Sequence, residues 1–313
     1  MRRTFSHPYV ALALTALFWG GNSVAGKLSV PHISPMILTL LRWGLAAALL
    51  TPFAWPHLKR DWPAIRPRLP VLLLLGAIGF SGFNGVMYVA LHYTSAINSM
   101  LEQASMPLFV FLGSFLLFGA RASGFQIAGF LITALGVAIT ASHGNLASLV
   151  ALDLNRGDAI MMIAVVLYAA YTLGLRYKPK IHWLSAAAAL SYGAFAAAIP
   201  MALAEHAMGL SRWPDGFGIA VVVYTAVFAS IIAQSFYIYG VEAIGANRAN
   251  IFVNLIPVFG AVLAVSAGEV LYLYHVLALG LVLVGIWLAE RRQVKIETAP
   301  RVNEAPSQEK RAG

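Results

Sequence analysis

Ser95–Pro107 reads SAINSMLEQASMP and Gly245–Pro257 reads GANRANIFVNLIP, and the two stretches lie 150 residues apart in equivalent apolar surroundings. Upstream the spacing is 149: Trp19 falls on Tyr168 and Lys27 falls on Arg176. Downstream, Gly136 falls on Gly285, again 149 apart. A period of this length exceeds the unit of any solenoid, so the chain reads as a duplicated half-molecule.

Composition fixes the solvent in which these halves fold. Hydrophobic residues make up 60% of the chain, charged residues only 11%, and the mean hydropathy is +0.77. A soluble domain uses about 25% charged residues to cover its surface, so the soluble class is excluded. A membrane span takes about 20 apolar residues, and the 313 residues accommodate ten, near 9–30, 35–54, 70–92, 96–118, 124–141, 158–177, 184–204, 217–240, 246–267 and 270–290. There is no cysteine, which removes disulfides, thiol catalysis and thiolate metal sites. The net charge of +9 does not imply nucleic acid, because Lys and Arg fall between the apolar segments and in the tail.

Those cations alternate from loop to loop. One side collects Arg2, Arg3, Lys59, Arg60, Arg66, Arg68, Arg121, Arg176, Lys178, Lys180, Arg248 and the tail, whereas the other has only Arg156 and Arg212 in its loops. By the positive-inside rule both termini are expected in the cytoplasm. Five spans per half is an odd number, so the second half must enter the membrane inverted. The fold expected is therefore an all-α integral membrane protein of ten transmembrane helices in two inverted five-helix repeats. Residues 1–8 form a cytoplasmic N-terminus that leads straight into the first span. The repeats cover 9–141 and 158–290, an outer loop spans 142–157, and 291–313 form a polar, disordered cytoplasmic tail. Inverted repeats of this kind supply two arrangements of similar energy, the basis of alternating access in transporters.

The motifs now on the page resemble a known family. WGGNSVAGK at 19–27, the arginine of LLRWGLAAALL at 40–50, HYTSA at 92–96, MPLF at 106–109, IPVF at 256–259 and Gly268–Glu269 are similar to the drug/metabolite transporter superfamily. The closer likeness is to its ten-span EamA-type exporters, in particular the aromatic amino acid branch, and it covers about residues 10–290. It implies export or exchange of small metabolites, often amino acids, through a cavity formed by spans 1, 3, 4, 6, 8 and 9. One departure is visible: FGARA places Ala120 where the second half keeps Glu269.

Candidate site residues follow from polar groups at membrane depth. Glu102 is the acid lying well inside a predicted span, and its counterpart Phe252 lacks the charge. Arg42 lies at a similar depth, roughly 10 Å from the outer end, so the two are candidates for a gating ion pair, and Glu102 equally for a substrate amine or a proton. Asn22, Asn84, Gln103, Gln234 and Asn254 offer amides, either as substrate ligands or as interhelical bonds worth about 0.6 kcal/mol each. Trp19, Tyr88, Tyr168, Tyr171 and Tyr237 offer rings, for a pocket or for core packing. Pro107 and Pro257 match between halves and are read as hinges or fixed kinks inside spans 4 and 9.

The leading reading is a secondary carrier of a small organic solute, with an amino acid as first choice and a drug or quaternary amine as the alternative. Partners are the substrate, the bilayer and, as a candidate coupling ion, protons. The protein is expected as a monomer or weak homodimer in a plasma membrane of bacterial inner-membrane type. No cofactor, metal or nucleic acid is expected. A channel or membrane enzyme is the remote alternative, since no HExxH, GxSxG or Walker A sequence occurs.

Overall fold

The structure is a computed structural model that describes residues 7–119, 123–145 and 155–290. Ala120, the loop stretch 146–154 and the tail 291–313 lie outside the described residues. Every regular element among the described residues is helical.

Helix α1 spans Pro8–Leu28 and α2 spans Pro35–Ile65, each opened by a proline in its first turn, where the missing N–H costs nothing. A short 3-10 turn at Arg66–Arg68 reverses the chain into α3 (Leu69–Gly76). A π segment, Ala77–Gly82, then joins α3 to α4 (Phe83–Ala90). The first half ends with α5 (Ala96–Gln103), α6 (Met106–Phe118) and α7 (Gly124–Ala141).

The second half repeats this order. Helix α8 covers Arg156–Gly174 and α9 covers Trp183–Ala207. Helices α10 (Gly216–Val223) and α11 (Ala233–Ile244) flank a second π segment, Tyr224–Ile232. The chain closes with α12 (Ala246–Val253), α13 (Ile256–Ser266) and α14 (Leu273–Glu290). The bounds of α5 and α12 differ by 150 residues and those of α7 and α14 by 149.

Pro107 and Pro257 do not interrupt a continuous helix in spans 4 and 9, contrary to the hinge or kink expected from the sequence. Spans 4 and 9 are each broken by a turn, at Ala104–Ser105 and Asn254–Leu255, and each proline sits in the first turn of the helix that follows. No helical hydrogen bond is lost to either ring. The break itself is the discontinuity.

Among the described residues, six helical stretches are long and apolar enough to cross a membrane by length and composition, including 35–90, 96–118, 156–177 and 216–244. The rim of the bundle is correspondingly greasy, with Phe53 71%, Leu116 68%, Leu131 66% and Leu203 63% exposed. Such a girdle would aggregate in water and is at home among lipid tails. Inside, small residues let helices touch. A Cβ on Gly129 would come within 2.4 Å of the Gly285 carbonyl, and one on Gly136 within 2.9 Å of the Ala278 carbonyl, so α7 and α14 cross backbone to backbone.

Candidate functional site

Arg42 is the centre of a polar knot. Its Nη1 donates to Asn22 Oδ1 at 2.8 Å, Asn84 Oδ1 at 2.7 Å and the Tyr88 hydroxyl at 2.5 Å, while Nε donates to Ser230 Oγ at 3.0 Å. The Tyr88 hydroxyl donates onward to Asn22 Oδ1 at 3.1 Å. The knot therefore ties α1, α2, α4 and the second π segment together. Arg42, Asn22, Asn84 and Tyr88 are all buried. The widened π turns help to build it: Asn84 follows the first and anchors its amide to the Phe80 carbonyl at 2.7 Å, and Ser230 lies within the second.

The ion pair considered between Arg42 and Glu102 does not form. Arg42 is held by neutral oxygens, and Glu102 instead faces Asp158 on α8. Depth along a span is readable from sequence, but the direction a side chain takes around the helix axis is decided by packing. Asp158 was missed because it stands at the very start of span 6, where an acid is ordinarily a surface residue.

The rings form a run beside the knot. The Arg42 guanidinium lies 5.0 Å from the Trp43 ring centroid, and Trp43 stacks on Phe80 at 4.5 Å. Phe80 is 5.6 Å from Tyr171, Tyr171 is 5.4 Å from Tyr168, and Tyr168 is 5.1 Å from Phe83. The buried Trp43 Nε1 has no hydrogen-bond acceptor. Trp19 lies on the other wall, with its ring 5.5 Å from Tyr237 and its Nε1 donating to the Ala229 carbonyl at 3.1 Å. Gln103 Nε2 bonds Ser23 Oγ at 3.2 Å. Gln234 and Asn254 are half-buried and make none of the bonds of the knot.

At the end of the bundle that carries Lys27, charged groups hold helix ends. Lys27 Nζ donates to the carbonyls of Leu91 at 2.8 Å and Thr94 at 2.7 Å, just beyond α4. Glu269 accepts from the N–H groups of Ala96 at 2.7 Å and Ile97 at 3.1 Å, at the start of α5. Both placements suit the helix dipole, cation at a C-terminus and anion at an N-terminus. Glu205 caps α2 in the same manner through Ser34 and the Met36 N–H. Neither Lys27 nor Glu269 stood among the expected site residues; Glu269 was singled out in the sequence by the Gly268–Glu269 motif and by its missing counterpart at 120.

A cavity of about 410 Å³ opens at this end, lined in part by Val30, Ser34, His92, Tyr93, Glu205 and Arg212. Burial lowers the basicity of the His92 imidazole, and the Lys27 charge adds to the effect. None of the expected ligand residues lines this cavity.

Comparison with known proteins agrees with this architecture. The model of the EamA-like transporter family matches twice, over residues 7–142 and 155–290. Similar proteins include the uncharacterized transporter YyaM of Bacillus subtilis (strain 168), 26% identical over 90% of this chain and 92% of that one. The uncharacterized inner membrane transporter YedA of Escherichia coli (strain K12) is 27% identical over 95% of this chain and 96% of its own. A probable amino-acid metabolite efflux pump of the same strain is 30% identical over 42% of this chain and 41% of its own. A solved crystal structure superposes with a TM-score of 0.58 at 20% identity, covering 91% of this chain and 97% of that one. The chain belongs to the EamA-like transporter family: it is a multi-pass membrane transporter of the drug/metabolite superfamily and not an enzyme.

Proposed function

We propose that this EamA-like protein is a secondary carrier of an apolar or aromatic amino acid, held through its carboxylate at Arg42 and exchanged across the membrane by alternating access. The observation that carries the substrate class is a buried guanidinium bonded to neutral oxygens, next to the Trp43 indole whose N–H lacks an acceptor. Two donors without an anion, in surroundings that screen poorly, suit a carboxylate. The run from Trp43 through Phe80, Tyr171 and Tyr168 suits an apolar or aromatic side chain on the same ligand. The partial match to a probable amino-acid metabolite efflux pump leans the same way.

The mechanism rests on two inverted repeats and ten crossings. Lys27 in the last turn of α1 lies beside Thr94, and Asp158 in the first turn of its counterpart α8 also lies beside Thr94. This placement supports opposite directions for equivalent helices. The α7–α14 crossing obeys the same relation, because Gly129 meets Gly285 and their counterparts Ala278 and Gly136 meet each other. The arginine-poor Lys27 end is assigned to the exterior by the positive-inside rule, which suits an inner-membrane protein. Exchange of the two halves' conformations would open one end as the other closes, with the breaks at 104–105 and 254–255 and the two π segments as the places that yield.

The test is counterflow in proteoliposomes. Labelled L-phenylalanine should accumulate, saturably, in vesicles preloaded with the unlabelled amino acid, and phenethylamine, which lacks the carboxylate, should not exchange. Arg42→Gln should abolish the uptake. Flux that does not saturate and is not stimulated from the opposite side would make the protein a channel, and exchange of the amine alone would assign it to cation efflux.

A further inference from the structure

Glu102 closes α5 with its side chain wholly buried, and neither carboxyl oxygen receives a hydrogen bond from any N–H or O–H of the protein. Across from it, within hydrogen-bonding range, lies Asp158 in the first turn of α8, 2% exposed. Thr94 Oγ1 donates to Asp158 Oδ1, whereas Oδ2 has no donor. Two carboxylates in contact away from water cannot both stay ionised. A single proton between them supplies the donor that the facing oxygens lack.

A route from this pair to water is laid out by the hydrogen-bond chain around it. The Tyr272 N–H donates to His275 Nδ1 at 3.0 Å, so His275 carries its proton on Nε2, which donates to Asn98 Oδ1 at 2.9 Å. The Asn98 amide is thereby oriented with its NH₂ toward His143 Nε2, 3.3 Å away. This assignment leaves a lone pair on His143 Nε2, 4.0 Å from Asp158 Oδ2, and the His143 side chain is 46% exposed. To take the proton at Nε2 the imidazole gives up the hydrogen bond from the Asn98 amide, and it then releases its Nδ1 proton to water.

We propose that Glu102 and Asp158 form the coupling-ion site of this transporter, holding one proton between them and exchanging it with the adjoining water through His143. Its link to transport rests on the carrier reading above; the proton itself does not. Loss of the proton leaves two negative charges between α5 and α8, and their repulsion drives these helices apart at the Lys27 end. The other charged and titratable groups around α5 are few. Helix α1 brings Lys27, which is bound to the Leu91 and Thr94 carbonyls, and the turn after α13 brings Glu269, bound at the opposite end of α5. Helix α14 and its approach bring Tyr272, Tyr274 and His275, and Arg156 beside Asp158 is exposed. None of these cations contacts the pair, so a proton remains the occupant that neutralises it.

Infrared difference spectroscopy on the full chain in lipid nanodiscs tests this without any substrate. A protonated-carboxyl C=O band that shifts in D₂O should persist at neutral pH, where exposed acids are ionised. It should be lost in Glu102→Gln and lost or shifted in Asp158→Asn. In His143→Ala the band should remain but decay severalfold more slowly after an alkaline pH jump. Absence of the band at neutral pH, or its survival unchanged in Glu102→Gln, overturns the proposal. Disappearance of the band when sodium replaces potassium at fixed pH also overturns it, in favour of a sodium ion. Counterflow of L-phenylalanine is measured separately, so failure of the proton site leaves the carrier reading standing, and the reverse also holds.

Discussion

Removing the Arg42 guanidinium leaves two amide carbonyls and two hydroxyls facing one another without their shared donor. Interhelical bonds in membranes average about 0.6 kcal/mol, so four of them lost together cost about 2 kcal/mol. The desolvation penalty of the buried cation is recovered at the same time, which trims that loss. Arg42→Gln is therefore expected to lower the melting temperature modestly while abolishing counterflow, and Arg42→Lys to keep more stability than exchange, since a point charge cannot serve several acceptors in a fixed plane. Equal loss of both properties in the two variants would make the knot purely structural. A second prediction concerns the loop before α10, where Asp215 accepts from the Gly218 N–H at 2.9 Å and meets His32 at 2.7 Å. The Gly218 N–H, and then the His32 contact, hold this carboxyl below its ordinary range. A lowered folded value means that the stabilisation is present above the unfolded carboxylate range and fades as pH falls through the folded one. The gap in melting temperature between the native chain and Asp215→Ala should narrow on acidification. At this scale the sequence was half legible: it selected Arg42, Asn22, Asn84 and Tyr88, which do converge, but paired Arg42 with Glu102. Similar depth permitted that pairing, and rotation of α5 against α8 forbade it.

Helix boundaries tell the same story one level up. The duplicated stretches around Ser95 and Gly245 correctly marked equivalent elements, because α5 and α12 start and end in register. Their prolines misled, since a proline looks the same in a sequence whether it bends a helix or begins one. The π segments carry no residue signature at all; they arise where Asn84 and Ser230 are drawn toward Arg42. Packing between elements was less legible: Gly136 and Gly285 stood out only as counterparts in the repeat, and each meets a different residue of the facing helix. The crossing is made by Gly129 and Gly285, with a Cβ on Gly285 only 2.5 Å from the Gly129 carbonyl and one on Gly129 2.4 Å from the Gly285 carbonyl. Backbone cannot yield as a side chain does, so Gly129→Ala is expected to separate α7 from α14 and cost about 1–3 kcal/mol by overpacking. Gly280→Ala on α14, with open space around its Cβ, is the control and should be neutral. Thermal unfolding of both variants in detergent checks this; equal stability would mean that the crossing is looser than its geometry.

Across the whole molecule, the Lys27 end is fastened by charges that reach between the halves. Glu269 of the second half caps α5 of the first, and the Lys27 charge lies within range of it while binding the turn after α4. The opposite end is joined across the halves as well, by Asp61 on α2, which accepts from the His182 N–H and the Ser185 hydroxyl at the start of α9, both at 2.8 Å. Weakening the fastening at one end of a transporter with two such repeats should favour the conformation open at that end. Charge-assisted bonds are worth roughly 1.5–3 kcal/mol each, and Glu269→Gln keeps one neutral acceptor, so the closed state should lose about 2 kcal/mol. That shifts the opening equilibrium by about thirtyfold. The absence of cysteine from the chain makes this measurable without background. A single thiol introduced as Ser99→Cys, at a position now fully buried on α5, should react slowly with a maleimide in nanodiscs. Tyr93→Cys, at an exposed site on the same end, sets the reference rate. Adding Glu269→Gln should raise the ratio of the two rates by about tenfold or more if opening limits access. An unchanged ratio would mean that Lys27 and Glu269 merely finish helix ends, and that closure of this face is held by its apolar packing alone.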